Sequence, residues 1–508
     1  VEAVNATPAT ATDSFGVPNP YAGGSGTEDD PYRIETWTHL DAVRHRKASA
    51  FVLDADLDES TAGYDEVASV SANGGNGFQP IARDTDSGSS GFQGTPFSGS
   101  FDGNDHTISG LTIDTDGTTY VGLFGYLSTA TVTDLTLDAV DITGGKYVGA
   151  LAGTSDDGTI EGVSATESTI RPATTGGVDF NFVGGLVGTN TGQITNVSTD
   201  GDFTGSVEGD QSRVGGLVGK NEGTISNASA TGSVSVGLRN GGLVGQCLGT
   251  ISDSSADVTV SSLGSDQFGY NYAGGLVGRK QGGTIERSHA TGSTPTDSET
   301  LLAGGLVADN VETTVTDSYA TGSVTARDQA GGLIGSNNEG VVQQSYATGS
   351  ATATDSDMGI AGGLVGRNYR GTVTESYATA AATATEPDTG IAGGLVGYNQ
   401  GSVDLSYATG TVAGSGNVGG LVGFNSDTNG SVDSSYWDTD STGQSSTSGG
   451  GTGLTTDEMQ GGEADDNMPG LDFSGVYATV DTSDADVSAD DYPVIQALDR
   501  ATQLEGRA

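Results

Sequence analysis

The chain has 508 residues, 85 of them Gly and 11 Pro, and 33% are apolar, below the ~45–50% usual in globular domains. That composition excludes a membrane-spanning protein and an ordinary helical enzyme, and the lack of a three-residue glycine period excludes collagen. Against 66 Asp+Glu stand 18 Lys+Arg, a formal net charge of −48, so nucleic acid and anionic lipid are repelled and neither is an expected partner.

Few apolar residues and high charge fit either a disordered chain or a folded one from a high-salt environment. There the Debye length shrinks to ~3 Å or less and self-repulsion is screened. The regular apolar spacing favours the second, a halophilic protein. The only lysines are Lys47, Lys146, Lys220 and Lys280. One cysteine, Cys247, permits no intrachain disulfide. Val1 is not an initiator methionine, as expected of an exported chain whose signal peptide has been removed. Asn5, Asn196, Asn227 and Asn429 each begin an Asn-x-Ser/Thr sequon and are the candidate glycosylation sites.

In chain order, residues 1–22 read as an extended segment and residues 23–118 as an N-terminal cap leading into the first coils. A short amphipathic helix carries Trp37, Leu40 and Val43 on one face, with Thr36 as N-cap. Strands are expected at 51–53, around Leu57 and within 97–113. A helix here has a purpose, because an uncovered stack of strands is sticky.

Residues 119–437 are repetitive. Gly-Gly-Leu-Val-Gly or a close variant occurs eleven times, with leucines from Leu123 to Leu421 spaced 26 to 35 residues apart. The repeat at 361–385 reads as three short strands: 361–366 around Leu364, 371–379 after a turn, and 380–385. That is one turn of a three-sided parallel β-solenoid, and eleven coils at ~4.8 Å make a rod of ~50 Å. Two columns emerge on alignment. Four residues after the leucine stand Asn190, Asn221, Asn310, Asn337, Asn368, Asn399 and Asn425, broken by Cys247 and Lys280. These are read as turn residues that tolerate the left-handed conformation and hydrogen-bond along the stack. In the second strand a small inward residue, Ser376 in this coil, precedes an outward one. The outward column runs from serine in early coils, through His289, to Tyr319, Tyr346, Tyr377, Tyr407 and Tyr436. This tyrosine stripe is either a structural ladder or a recognition face.

Residues 438–508 read as a Gly/Ser-rich loop and C-terminal cap, ending in a strand at 492–495 and a terminal helix. Asp438 and Asp440 resemble the start of a calcium loop, but Gly449 stands where the bidentate Glu belongs. They are weak metal candidates, and any divalent calcium or magnesium would be loosely bound; no cofactor is required.

The Gly-Gly-Leu-Val-Gly blocks, the Ser-Tyr-Ala-Thr-Gly stretches beginning at Ser318, Ser345 and Ser406, Phe101-Asp-Gly-Asn and Tyr436-Trp-Asp-Thr closely resemble the GLUG-repeat family, named for its Gly-Leu-any-Gly motif. The resemblance spans residues 24–495. It implies an all-β, right-handed parallel β-helix with small helical caps at both ends, in a secreted or surface-displayed protein of haloarchaeal type. It supplies no catalytic motif.

The four histidines, His39, His45, His106 and His289, form no zinc motif. No nucleophile elbow follows a strand, and Arg279, Arg287, Arg327, Arg367 and Arg370 are scattered. The chain therefore reads as a non-enzymatic structural or adhesive surface protein. Its expected partners are other copies, other surface proteins or glycans. The alternatives are a subunit of a surface filament or viral host-recognition fibre and, third, a carbohydrate-active β-helix enzyme. Self-association would use the non-repetitive ends, around 37–46 or 494–504.

Overall fold

The computed structural model describes residues 19–86, 91–115, 117–173, 181–205, 212–261, 271–295, 300–354, 358–386, 388–484 and 489–505. It is a parallel β-solenoid. One coil runs through Ile360–Gly362, Val365–Thr374, Tyr377–Ala378 and Ala382–Ala384. Each strand pairs in parallel with its equivalent one coil on: Ile360 with Ile391, Val365 with Val396, Tyr377 with Tyr407 and Ala382 with Val412. The strand leading into the corner glycines of each repeat builds an eleven-stranded sheet, from Tyr120–Val121 to Asn417–Gly419.

The repeat motif is a corner. Leu364 is fully buried, but it lies in the bend between two strands and not inside one. A Cβ on Gly362 would meet Val365 O at 1.9 Å, and one on Gly363 would meet Gly394 O at 2.0 Å. No side chain fits at either position, so both glycines recur while the leucine fills the interior.

A second corner was not expected. The strand read as continuous over 371–379 breaks at Glu375, which has φ 50°. The equivalent residue is left-handed in coil after coil, including Asn196 (φ 53°), Asn227 (φ 49°), Arg287 (φ 44°), Leu405 (φ 51°) and Ser434 (φ 42°). The asparagine column, by contrast, is not left-handed: Asn337 and Asn368 sit in strands. Its value is in hydrogen bonding. Where asparagines follow one another, the buried Nδ2 donates to the Oδ1 of the next coil, at 2.8 Å from Asn310 to Asn337 and 2.9 Å from Asn337 to Asn368 and from Asn368 to Asn399. A buried serine column does the same. Ser345 Oγ accepts from Ser318 N at 3.2 Å and donates to Gln343 O at 2.8 Å. Polar groups inside the coil are thereby satisfied by repetition.

At the N-terminal end the helix Trp37–Ala42 forms with Thr36 as its cap, His39 N donating to Thr36 Oγ1 at 3.2 Å. Trp37, Leu40 and Val43 are fully buried. After the last full coil, Thr452–Leu454 adds a parallel strand to Tyr436–Asp438. The Trp437 indole donates to Gln444 O at 2.9 Å. The chain then forms an antiparallel pair, Tyr477–Val480 with Asp491–Ile495, and the helix Arg500–Glu505.

Candidate functional site

The tyrosine column stands on the outer side of the coil, since Ser376 beside it points inward. Its rings stack face to face: Tyr319 on Tyr346 at 4.9 Å, Tyr346 on Tyr377 at 5.1 Å and Tyr377 on Tyr407 at 5.0 Å, all within 7° of parallel. His289 extends the stack at 4.7 Å. As an open recognition stripe, however, the column must be corrected. Tyr346, Tyr377 and Tyr407 have no exposed surface, Tyr436 is 6% exposed and Tyr319 is half-buried.

The chain's own C-terminal segment covers them. Met459, Met468, Leu471, Tyr477 and Ile495 pack on the rings as a second apolar cluster. The hydroxyls of Tyr377, Tyr407 and Tyr436 are engaged as well. Tyr377 Oη donates to Gln503 Oε1 at 3.0 Å and Tyr407 Oη to Pro493 O. Gly470 N donates to Tyr436 Oη at 2.9 Å. Gln503, itself buried, also accepts from Ile495 N at 2.8 Å and donates to Ile495 O at 2.9 Å. The C-terminal segment thus lies along the side of the last coils as well as at the end. In the early coils Ser164, Ser198, Ser229 and Ser255 hold the same position and are half-exposed. The change from serine to tyrosine marks where the cover begins.

Asp438 and Asp440, the weak metal candidates, serve as hydrogen-bond acceptors in the C-terminal segment. Asp438 is buried; its Oδ1 accepts from Asp440 N at 2.8 Å and Ser441 N at 3.0 Å. Its Oδ2 accepts from Tyr492 Oη at 2.5 Å and Thr456 Oγ1 at 2.7 Å. Asp440 Oδ2 accepts from Thr456 N at 3.2 Å. Burial pushes the Asp438 carboxyl up, but the bonds from Tyr492, Thr456 and the two backbone N–H groups outweigh it and hold it below the usual carboxylate range. Among the described residues, no three or more His, Cys, Asp or Glu side chains gather to hold a metal ion.

Asn196, Asn227 and Asn429 are exposed; Asn5 lies outside the described residues. Asn196 and Asn227 occupy the left-handed corner, a conformation asparagine tolerates.

A further column escaped the sequence reading. Three residues after the repeat leucine stand Arg367, Tyr398 and Phe424, on successive coils. Tyr398 and Phe424 stack at 5.0 Å. The Arg367 guanidinium lies 5.3 Å from the Tyr369 ring and 5.7 Å from Tyr398, and Arg370 lies 5.0 Å from Tyr369. All three rings are half-exposed. The signal was the shared offset from the leucine, hidden because the residue type changes from coil to coil.

With the coil and its corner motif defined, comparison with known proteins agrees: residues 210–235 match the family model of the GLUG motif. The chain carries the GLUG motif there and is similar to GLUG-repeat proteins. It is 39% identical over 181 residues to halomucin from Haloquadratum walsbyi, a match covering 35% of this chain and 2% of that protein. It is 33% identical over 185 residues to a protein of Evansella cellulosilytica described as a Gly-rich membrane protein, covering 35% of this chain and 16% of that one. The chain therefore spans only a small part of the curated relatives it matches. A solved structure described as an immunoglobulin A1 protease, from Bacteroides ovatus, is 15% identical and covers 96% of this chain and 98% of that chain. Its TM-score is 0.21, and it carries no argument. No helix among the described residues is long and apolar enough to cross a membrane.

Proposed function

We propose that this GLUG-repeat solenoid is a non-enzymatic structural rod on the surface of a halophile, making adhesive contacts through its open sides and not through the tyrosine column. The coarser part, a surface protein built of repeats, rests on the similarity to halomucin and to the Gly-rich membrane protein. The observation that carries the rest is the cover over Tyr346, Tyr377 and Tyr407. With that face occupied, the cluster of Arg367, Tyr369, Tyr398 and Phe424 is the better candidate for contact with glycans or surface proteins. Its two tyrosines combine apolar area with a polar tip, Phe424 adds apolar area, and its guanidinium adds a planar donor set.

The test is cell and glycan binding by the intact protein immobilised in high salt. The Arg367→Gln/Tyr398→Ser double variant is expected to keep its unfolding transition and lose binding. Tyr346→Ser/Tyr377→Ser/Tyr407→Ser is expected to lose stability first. Full binding by the folded double variant would overturn this assignment.

A further inference from the structure

The asparagine column is broken at two successive slots, Cys247 and Lys280. They are register partners on adjacent coils, and both lack exposed surface. One is the only cysteine of the chain and the other is one of four lysines. Their side chains converge. Lys280 Nζ donates to Gly249 O at 2.6 Å and to Gly282 O, and the Cys247 thiol donates to the same Gly249 O at 3.6 Å. Amine and thiol thus meet at one carbonyl oxygen.

This orientation has a cost. Asn310, the next residue of the column, is left with its Oδ1 buried and without a donor. An asparagine at position 280 would supply that donor, as Asn310 does for Asn337. Burial pushes the Lys280 pKa down, against a smaller upward pull from Cys247, and so favours the neutral amine with its free lone pair. The cover is thin. Gly249 and Gly282 are half-exposed, and a Cβ on Gly282 would meet only Leu248 O, at 3.6 Å.

We propose that Cys247 and Lys280 are a covalent modification site, an N–O–S bridge between neighbouring coils formed with dioxygen. The thiol S–H and one amine N–H break, and Sγ–O and O–Nζ bonds form. Sulfur and nitrogen each give up two electrons. Dioxygen takes all four: one atom enters the bridge and the other leaves as water with the two hydrogens. The product lies on the reversible part of the thiol oxidation ladder, so a dithiol returns both side chains. It would tie two coils in the middle of a rod otherwise held by non-covalent columns.

The experiment uses the full chain in high salt, held in air, then unfolded and alkylated before mass measurement. Wild type is expected to be about 14 Da heavier than its sequence mass, with Cys247 unalkylated, and dithiothreitol should restore both mass and alkylation. Lys280→Asn, which restores the usual residue of the column, should fold and give a fully alkylated thiol in air. Complete alkylation of unreduced wild type at unchanged mass would overturn the proposal. So would a gain of about 16 or 32 Da confined to Cys247, the mark of simple thiol oxidation.

Discussion

Asn368 shows how much one repeated side chain is asked to do. It accepts from Asn337 at 2.9 Å and donates to Asn399 at 2.9 Å and Gly371 O at 3.1 Å, all buried. Asn368→Ala leaves Asn337 Nδ2 with Gly340 O and Asn399 Oδ1 with Gly401 N, each short of one buried bond, and is expected to cost about 1–3 kcal/mol in denaturant unfolding. A loss under 1 kcal/mol would mean that water replaces the ladder. Ser434 carries the opposite prediction. It is exposed and left-handed at φ 42°, so Ser434→Asn should raise stability by about 0.5–1 kcal/mol by easing that conformation. The asparagine slots were legible because a column needs a side chain that both donates and accepts. The left-handed corner was not, because its occupants, Asn, Asp, Arg, Gln, Glu, Leu and Ser, share no chemistry. The backbone ladder holds them there.

Among the elements, the C-terminal segment departs furthest from expectation. Its strand near 492–495 and its terminal helix were readable from local pattern. Its resting place was not, since Tyr377 and Gln503 are 126 residues apart and no local periodicity links them. Removing residues 456–508 should leave the coils stacked but uncover the rings, and the truncated protein is expected to bind a hydrophobic dye that wild type does not. Unchanged dye binding would contradict the cover. Acid should loosen the same contact. Asp438 has a folded pKa below its unfolded value of about 3.9, so its contribution is complete above that value and fades as pH falls through the lower folded one. Tyrosine fluorescence followed through this window in high salt should show the change, and Asp438→Asn should remove it.

For the whole molecule, charge sets the working conditions. The formal −48 is spread over a rod with few bases to balance it. Lowering salt lengthens the range of repulsion from ~3 Å at 1 M to ~30 Å at 0.01 M. The thermal transition is therefore expected to fall and broaden on dialysis into dilute buffer, while a sharp, unshifted transition would count against the halophilic reading. The solenoid itself was legible at this scale because the leucine recurs eleven times and both columns keep register with it. The surface was less so, because contact between sides of a rod leaves no period in the chain.

The tyrosine stack also works as a ruler. Rings about 5 Å apart offer a sliding segment nearly equivalent seats, so the apolar cover alone does not choose among them. Three contacts that do not repeat set the zero mark: Gly470 on Tyr436, Pro493 on Tyr407 and Gln503 on Tyr377. Whole coils can be gained or lost on the serine side without moving that mark. A coil excised between Tyr346 and Tyr407 would shorten the scale by one graduation. The last helix would then meet Tyr346 in place of Tyr377, and the overhang would read out the missing coil.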